Sequence, residues 1–223
     1  MKEITVEALH SAAYTVPTES PESDGTLTWD STTIIIVEAR AAGQCGLGYT
    51  YGPAAVHHLI QEKLSAVVTG SPALDVGAAW TTMRRELRNA GFPGIGAMAI
   101  SAVDIALWDL KARLLGIPLV VALDAVHESL PLYGSGGFTS YSDEELADQL
   151  AGWVQQGIPA VKMKVGRDPE NDPHRVAAAR AAIGDRTGLF VDANGAYSRK
   201  QALSAAHRFT GESAVVWFEE PVT

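Results

Sequence analysis

The chain has 223 residues, 47% hydrophobic and 19% charged, with a formal net charge of −9 at pH 7. That is a globular composition, long enough for one large domain or two ordinary ones, and its acidity argues against a phosphate-backbone partner, which demands clustered Lys and Arg. Cys45 is the single cysteine, so an intrachain disulfide and a multi-cysteine metal site are excluded and a reducing cytoplasm fits.

Met1-Lys2-Glu3 leads into alternation rather than an apolar leader. The longest apolar stretch, Ala97–Leu110, contains Asp104 and Asp109 and is too short for a bilayer. A cytoplasmic protein without membrane attachment is expected.

In chain order, Ile4–Val16 alternates loosely and reads as a strand, and Thr32–Ala39 is a β-branched strand. The polar segment between them, Pro17–Asp30, is long for a hairpin and is expected to be a mobile loop or a functional flap. Gly43, Gly46 and Gly48 mark a turn. Helices are expected over about Pro53–Val68, Asp75–Ala90 and Ala97–Leu115. The last carries Ile100, Val103, Leu107, Leu110 and Leu114 on one face and is closed by Gly116 and Pro118. Strands followed by helices describe a small α+β domain over residues 1–126.

From Leu130 the pattern alternates strand and helix, giving a second domain over residues 127–223. Strands are expected at Leu130–Gly134, Ala160–Lys164, Leu189–Asp192 and Ala214–Glu219. Ser142 with Glu145 and Ser198 with Gln201 form capping-box patterns, and Asp172-Pro173 starts the helix between them, which closes at Gly184. Strand–helix repeats with polar groups at each strand end describe an αβ-barrel or a doubly wound sheet. No Gly-x-Gly-x-x-Gly follows the first of these strands, which weakens the dinucleotide-binding version.

Three clusters end successive strands: Lys162-Met-Lys164, Asp192-Ala-Asn194 and Glu219-Glu220-Pro221. Lys164 to Asp192 is 28 residues and Asp192 to Glu219 is 27, the length of one strand–helix unit. Side chains alternate along a strand, so Lys162 and Lys164 point the same way and should lower each other's pKa. A lysine brought down towards neutrality is a usable base, and Asp192 and Glu219 are hard oxygen donors suited to Mg²⁺. Together they suit removal of a weakly acidic proton beside a carboxylate. Singly, each cluster reads more simply as a solvated strand edge, a turn or a loop signal. Their registration across three repeats favours the functional reading.

These motifs, with Trp217-Phe-Glu-Glu-Pro221 and the helix Ala97-Met-Ala-Ile-Ser-Ala-Val-Asp-Ile-Ala-Leu-Trp-Asp-Leu-Lys111, resemble the enolase superfamily in its mandelate racemase/muconate lactonizing enzyme branch. The resemblance implies an α+β capping domain followed by part of a modified (β/α)7β barrel, about four strands. It implies Mg²⁺-assisted abstraction of the α-proton of a small carboxylate substrate to give an enediolate, leading to racemisation, epimerisation, sugar-acid dehydration or cycloisomerisation; Mn²⁺ is a possible substitute.

By the same resemblance Lys164 matches the base and Lys162 the lysine that contacts the substrate carboxylate. Asp192 and Glu219 match two metal ligands. Asn194, Ser135 and Tyr49 match substrate-contact positions, and Glu220 supports the metal ligands from behind. Glu220 leans towards the racemase and dehydratase relatives, since many lactonizing relatives carry Gln there. The Pro17–Asp30 and Tyr49–Gly52 loops match the loops that shape specificity. A third metal ligand and an opposing acid/base would lie beyond Thr223. A second copy or a complementing C-terminal half is therefore the expected partner, and an inactive fragment or assembly module is the alternative of a different class. A Schiff-base aldolase barrel, a further alternative, would need one isolated lysine. His10, His57, His58, His127, His174 and His207 lack ligand spacing and are expected at the surface, and Cys45 is expected to be inert in a Gly-rich loop.

Overall fold

The computed structural model describes residues 4–223. They form two compact units: one of residues up to Pro17 with Ser31–Glu128, the other of Thr18–Asp30 with Ser129–Thr223.

The first unit holds most of a three-stranded sheet in the order β1-β2-β3, with β1 at Ala8–Ser23, β2 at Thr28–Ala41 and β3 at Gln44–Tyr51; the β1–β2 hairpin end, Thr18–Asp30, belongs to the second unit. Ile35, Val37, Ala39 and Ala41 of β2 are fully buried, the period-2 pattern of a strand with one face on a core. β2 and β3 pair antiparallel from Ala41↔Gln44 to Ile34↔Tyr51. Ala42 and Gly43, both at positive φ, make the two-residue turn between them.

Two sequence expectations change here. The segment Pro17–Asp30 is not a loop: β1 runs through Pro17 and Pro21 to Ser23, and β2 begins at Thr28. β1 is an edge strand, where a proline costs no ladder bond on its solvent side. Gly46, Gly48, Cys45 and Tyr49 belong to strand β3, not to a turn. The glycines serve close packing instead. A Cβ on Gly46 would lie 2.2 Å from the Ala106 carbonyl oxygen, and one on Gly48 2.1 Å from that of Ala102. Only a bare strand can lie this close to a helix backbone.

That helix is α4, Ile95–Leu115, whose Ile100, Val103, Leu107 and Leu110 are buried and which ends at Gly116 in the left-handed conformation. Before it come α1 (Ala55–Leu59), a π-helical turn (Ile60–Leu64), α2 (Ser65–Val68) and α3 (Val76–Glu86). The π turn interrupts the single helix expected there, and it keeps Ile60 and Leu64 fully buried. A fully buried side chain of this kind is worth about 1.5–3 kcal/mol. A short helix, α5, spans Leu119–Ala122.

The second unit has a four-stranded parallel sheet in the order β4-β5-β6-β7: Gly134–Ser135, Ala160–Lys164, Gly188–Asp192 and Val215–Glu219. Helices α6 (Asp143–Gln155), α7 (Asp172–Ile183) and α8 (Arg199–Ser213) connect them. Both capping boxes form, on Ser142/Glu145 and Ser198/Gln201. β4 is shorter than expected, because the ladder begins only at Gly134↔Val161 while Leu130 and Leu132 are exposed. Val161, Met163, Leu189 and Val191 point away from the charged residues into a core with Leu146, Leu150, Val176 and Phe209. Strand alternation therefore separates an apolar face from a charged one.

The turn Asp24–Leu27 packs within this unit. The Asp24 carboxylate accepts from the backbone N–H groups of Thr26 and Leu27, both at 2.7 Å. Thr139 N–H donates to Ser23 O at 2.8 Å, and the Thr139 hydroxyl donates to Asp24 O at 2.9 Å.

Candidate functional site

The parallel register sets the site. Lys164 stands beside Asp192, and Asp192 beside Glu219, on three adjacent strand ends. Ser135 stands beside Lys162 one strand over. The ladder continues past the strands, with Val165 N–H donating to Asp192 O at 3.0 Å and Ala193 N–H to Glu219 O at 3.1 Å. The charged tips are thus mounted on hydrogen-bonded backbone.

Lys162 Nζ donates to Asp192 Oδ2 at 3.2 Å and to Glu219 Oε2 at 2.9 Å. Lys164 Nζ donates to the same Asp192 Oδ2 at 2.6 Å. Both lysines do point the same way, and two ammoniums face two carboxylates. Asp192 Oδ1 accepts from the Asn194 N–H at 3.0 Å. Asn194 Nδ2 donates to Glu220 Oε2 at 3.2 Å, which places Glu220 behind Asn194. Trp217 Nε1 donates to Glu219 Oε2 at 3.3 Å.

The electrostatics correct one expectation. Lys162 is not lowered by its neighbouring lysine. Burial works to lower its pKa, but the hydrogen bonds to Glu219 and Asp192 outweigh burial and raise it. For Asp192, burial works to raise the pKa, and the bonds from Lys164 and Asn194 with the charges of both lysines outweigh it and hold it below the ordinary value. The paired lysines also disfavour the Schiff-base alternative, which needs an isolated one.

Ser135 is exposed at the end of β4. Tyr49 lies in the other unit, half-exposed on β3 and edge-to-face with Tyr51, so the expected Tyr49–Gly52 loop is mostly strand. His57 Nδ1 bonds the Ser11 hydroxyl at 2.8 Å and His174 bonds Asp143 at 2.8 Å, so neither belongs to the charged cluster. Tyr133 has a contact the sequence reading did not assign: its ring lies 5.5 Å from Lys162 Nζ, within cation–π range, and edge-to-face with Phe190. Its position two residues before Ser135, on the same strand parity, was the available signal.

Among the described residues no group of three or more His, Cys, Asp or Glu side chains could hold a metal. Two carboxylates fit Mg²⁺, which commonly takes one or two and completes its shell with water or substrate oxygens. Asn194 Oδ1 is a buried oxygen with no hydrogen-bond partner beside them. This oxygen-only set suits a hard cation. No helix among the described residues is long and apolar enough to cross a membrane.

A sheet-and-helix unit joined to parallel β/α repeats, with lysines and carboxylates at the strand C-termini, defines a protein of the αβ-barrel enzyme class. Residues 9–123 match the mandelate racemase/muconate lactonizing enzyme N-terminal domain, and residues 145–223 match the enolase C-terminal domain-like family. The chain belongs to the mandelate racemase/muconate lactonizing enzyme branch of the enolase superfamily.

It is 34% identical over 97% of its length to a 3,6-anhydro-alpha-L-galactonate cycloisomerase of Streptomyces coelicolor, of which it covers 62%. A mandelate racemase/muconate lactonizing enzyme-like protein from Rubrobacter xylanophilus superposes with a TM-score of 0.97 at 60% identity, over 98% of this chain and 61% of that one. A Streptomyces coelicolor racemase crystallised with bound magnesium superposes with a TM-score of 0.92 at 34% identity, over 98% of this chain and 63% of that one. Other relatives are dehydratases, a racemase and an epimerase. The chain spans 62%, 55% and 49% of the length of three curated relatives. The match to the N-terminal domain covers the three-stranded sheet and its helices, and the match to the C-terminal domain covers three of the four parallel strands.

Proposed function

We propose that this chain supplies the proton-abstracting side of an enzyme acting on a small sugar-acid carboxylate, leading to racemisation, epimerisation or dehydration. The observation that carries the reading is the shared contact of Lys162 and Lys164 with Asp192 on adjacent strand ends. Lys164 is the base: its side chain is the more exposed of the two, 15% against 7%, and its Nζ would accept the α-proton. Lys162, held by two carboxylates, keeps its charge and faces the substrate carboxylate. Asn194 and Ser135 are positioned to hydrogen-bond substrate oxygens, and Glu220 orients the Asn194 amide. Asp192 and Glu219 would hold Mg²⁺. When bound, Mg²⁺ would compete with the ammoniums for both carboxylates and supply positive charge to the developing enediolate oxygens.

A second reading, cycloisomerisation, is favoured by two relatives of that activity, one of them matched over 97% of this chain. Both readings share the α-proton step. The test is exchange of that proton into D₂O, followed by NMR on a panel of aldonic and aldaric acids with the whole enzyme. Lys164→Ala should abolish exchange while leaving the far-UV circular dichroism unchanged. Exchange retained by that variant would refute the assignment of the base.

A further inference from the structure

Asp172 is as buried as Asp192, each 1% exposed, yet it lies outside the charged cluster. It opens α7 but does not cap it, because its carboxylate is committed elsewhere. Oδ2 accepts the Gly166 N–H at 2.8 Å and the Tyr197 hydroxyl. Arg175, the buried cation one turn along, donates instead to the carbonyls of Tyr141 at 2.7 Å and Phe138 at 3.0 Å. A buried carboxylate held by two neutral donors is costly, and burial pushes the pKa of Asp172 up.

The two donors sit at informative places. Gly166 is two residues past Lys164, and Tyr197 is five past Asp192. Gly166 has φ +100 and lies so close to the next loop that a Cβ there would meet the Ala196 Cβ at 2.6 Å. Tyr197 also reaches the third strand: its ring is edge-to-face with Phe218 at 5.9 Å, and its N–H donates to Pro221 O at 3.3 Å. One carboxylate oxygen thus ties together the chain leaving β5 and the chain leaving β6, and the tyrosine adds the chain leaving β7.

We infer that Asp172 and Tyr197 are positioning residues: their hydrogen bond locks the loops after β5 and β6 and so holds Lys164 against Asp192 in register for proton transfer. The inference rests on the role proposed for Lys164. In the sequence alone Asp172 marks a helix start and Tyr197 carries no role. The missed signal is a buried-type aromatic, Tyr197, immediately before the Ser198 cap.

The test uses the chain labelled with ¹⁵N-lysine and reads solvent exchange of the Lys164 ammonium, beside the thermal midpoint. Tyr197→Phe keeps the ring and removes only the hydroxyl. It should speed Lys164 ammonium exchange about tenfold in the folded protein, and Asp172→Ala should do the same. Asp172→Asn keeps one oxygen able to accept both bonds and should retain most of the protection. In the whole enzyme Tyr197→Phe should lower kcat for α-proton exchange about ten- to a hundredfold with KM unchanged. A purely structural role predicts a lower midpoint with Lys164 exchange unaltered, and that result overturns the inference. Loss of protection in Asp172→Asn equal to that in Tyr197→Phe overturns it as well. If Lys164→Ala leaves α-proton exchange intact, the proposed function fails, while the ammonium comparison still decides the positioning role.

Discussion

Lys162→Met isolates what the charge cluster contributes. The Lys162 ammonium bridges Asp192 at 3.2 Å and Glu219 at 2.9 Å. Methionine has similar length and no charge, so the substitution deletes two charge-assisted hydrogen bonds with little change in volume. Such a bond contributes about 1.5–3 kcal/mol. The Glu219 arm is discounted, since 32% of that side chain is exposed and can turn to water. Asp192 keeps Lys164 at 2.6 Å and the Asn194 N–H at 3.0 Å, so it is not left bare. The expected net loss is about 2 kcal/mol. At this chain length each kcal/mol moves the midpoint by about 2–4 °C, so the thermal midpoint should fall by about 4–8 °C. Differential scanning calorimetry at neutral pH reads it directly. A midpoint equal to or above that of the unsubstituted chain would refute the reasoning. It would mean that desolvating the three charges costs more than their pairing returns, as happens at some buried ion clusters.

Two further outcomes follow from other contacts. Gly48→Ala should cost about 1–3 kcal/mol or more, because the added carbon meets the Ala102 carbonyl rather than a movable side chain; urea unfolding should show a lower midpoint at unchanged slope. The two buried aspartates should give opposite pH dependences. The folded pKa of Asp192 lies below its ordinary 3.8, so its contribution is present above that value and lost as pH falls through the folded one. The folded pKa of Asp172 lies above 3.8, so its contribution is lost as pH rises from 3.8 through the folded value. Urea unfolding across the acid range should therefore show Asp172→Asn removing a loss of stability with rising pH, and Asp192→Asn removing a gain.

Much of this was legible in residue order because it depends on local rules. Both capping boxes needed only Ser and Glu or Gln three residues apart. β5 was readable at Ala160–Lys164 because its alternation is unbroken. What failed depended on the neighbouring element. β3 was hidden because Gly46 and Gly48 look like turn residues, and only the backbone of α4 pressed against them explains their place in a strand. β1 was cut short at Pro17 because a proline within a strand is acceptable only at an edge, and which strand is the edge is a property of the sheet.

The sign of the Lys162 shift failed for the same reason. Along one strand the nearest charge to Lys162 is Lys164, so repulsion was the natural inference. Across the ladder the nearest charges are carboxylates on β6 and β7, at 3.2 and 2.9 Å. Attraction across the ladder outweighs repulsion within a strand, because the like charges sit side by side while the unlike ones touch. Under the role proposed for Lys164, this arrangement also names the contact the chemistry must break. Lys164 donates to Asp192 at 2.6 Å, and an amine that is to accept a substrate proton must first have given one up. The contact that stabilises the strand ends is therefore the one that has to change before Lys164 can act. The clamp inferred at Asp172 and Tyr197 would allow that exchange of partners without moving the backbone that carries them.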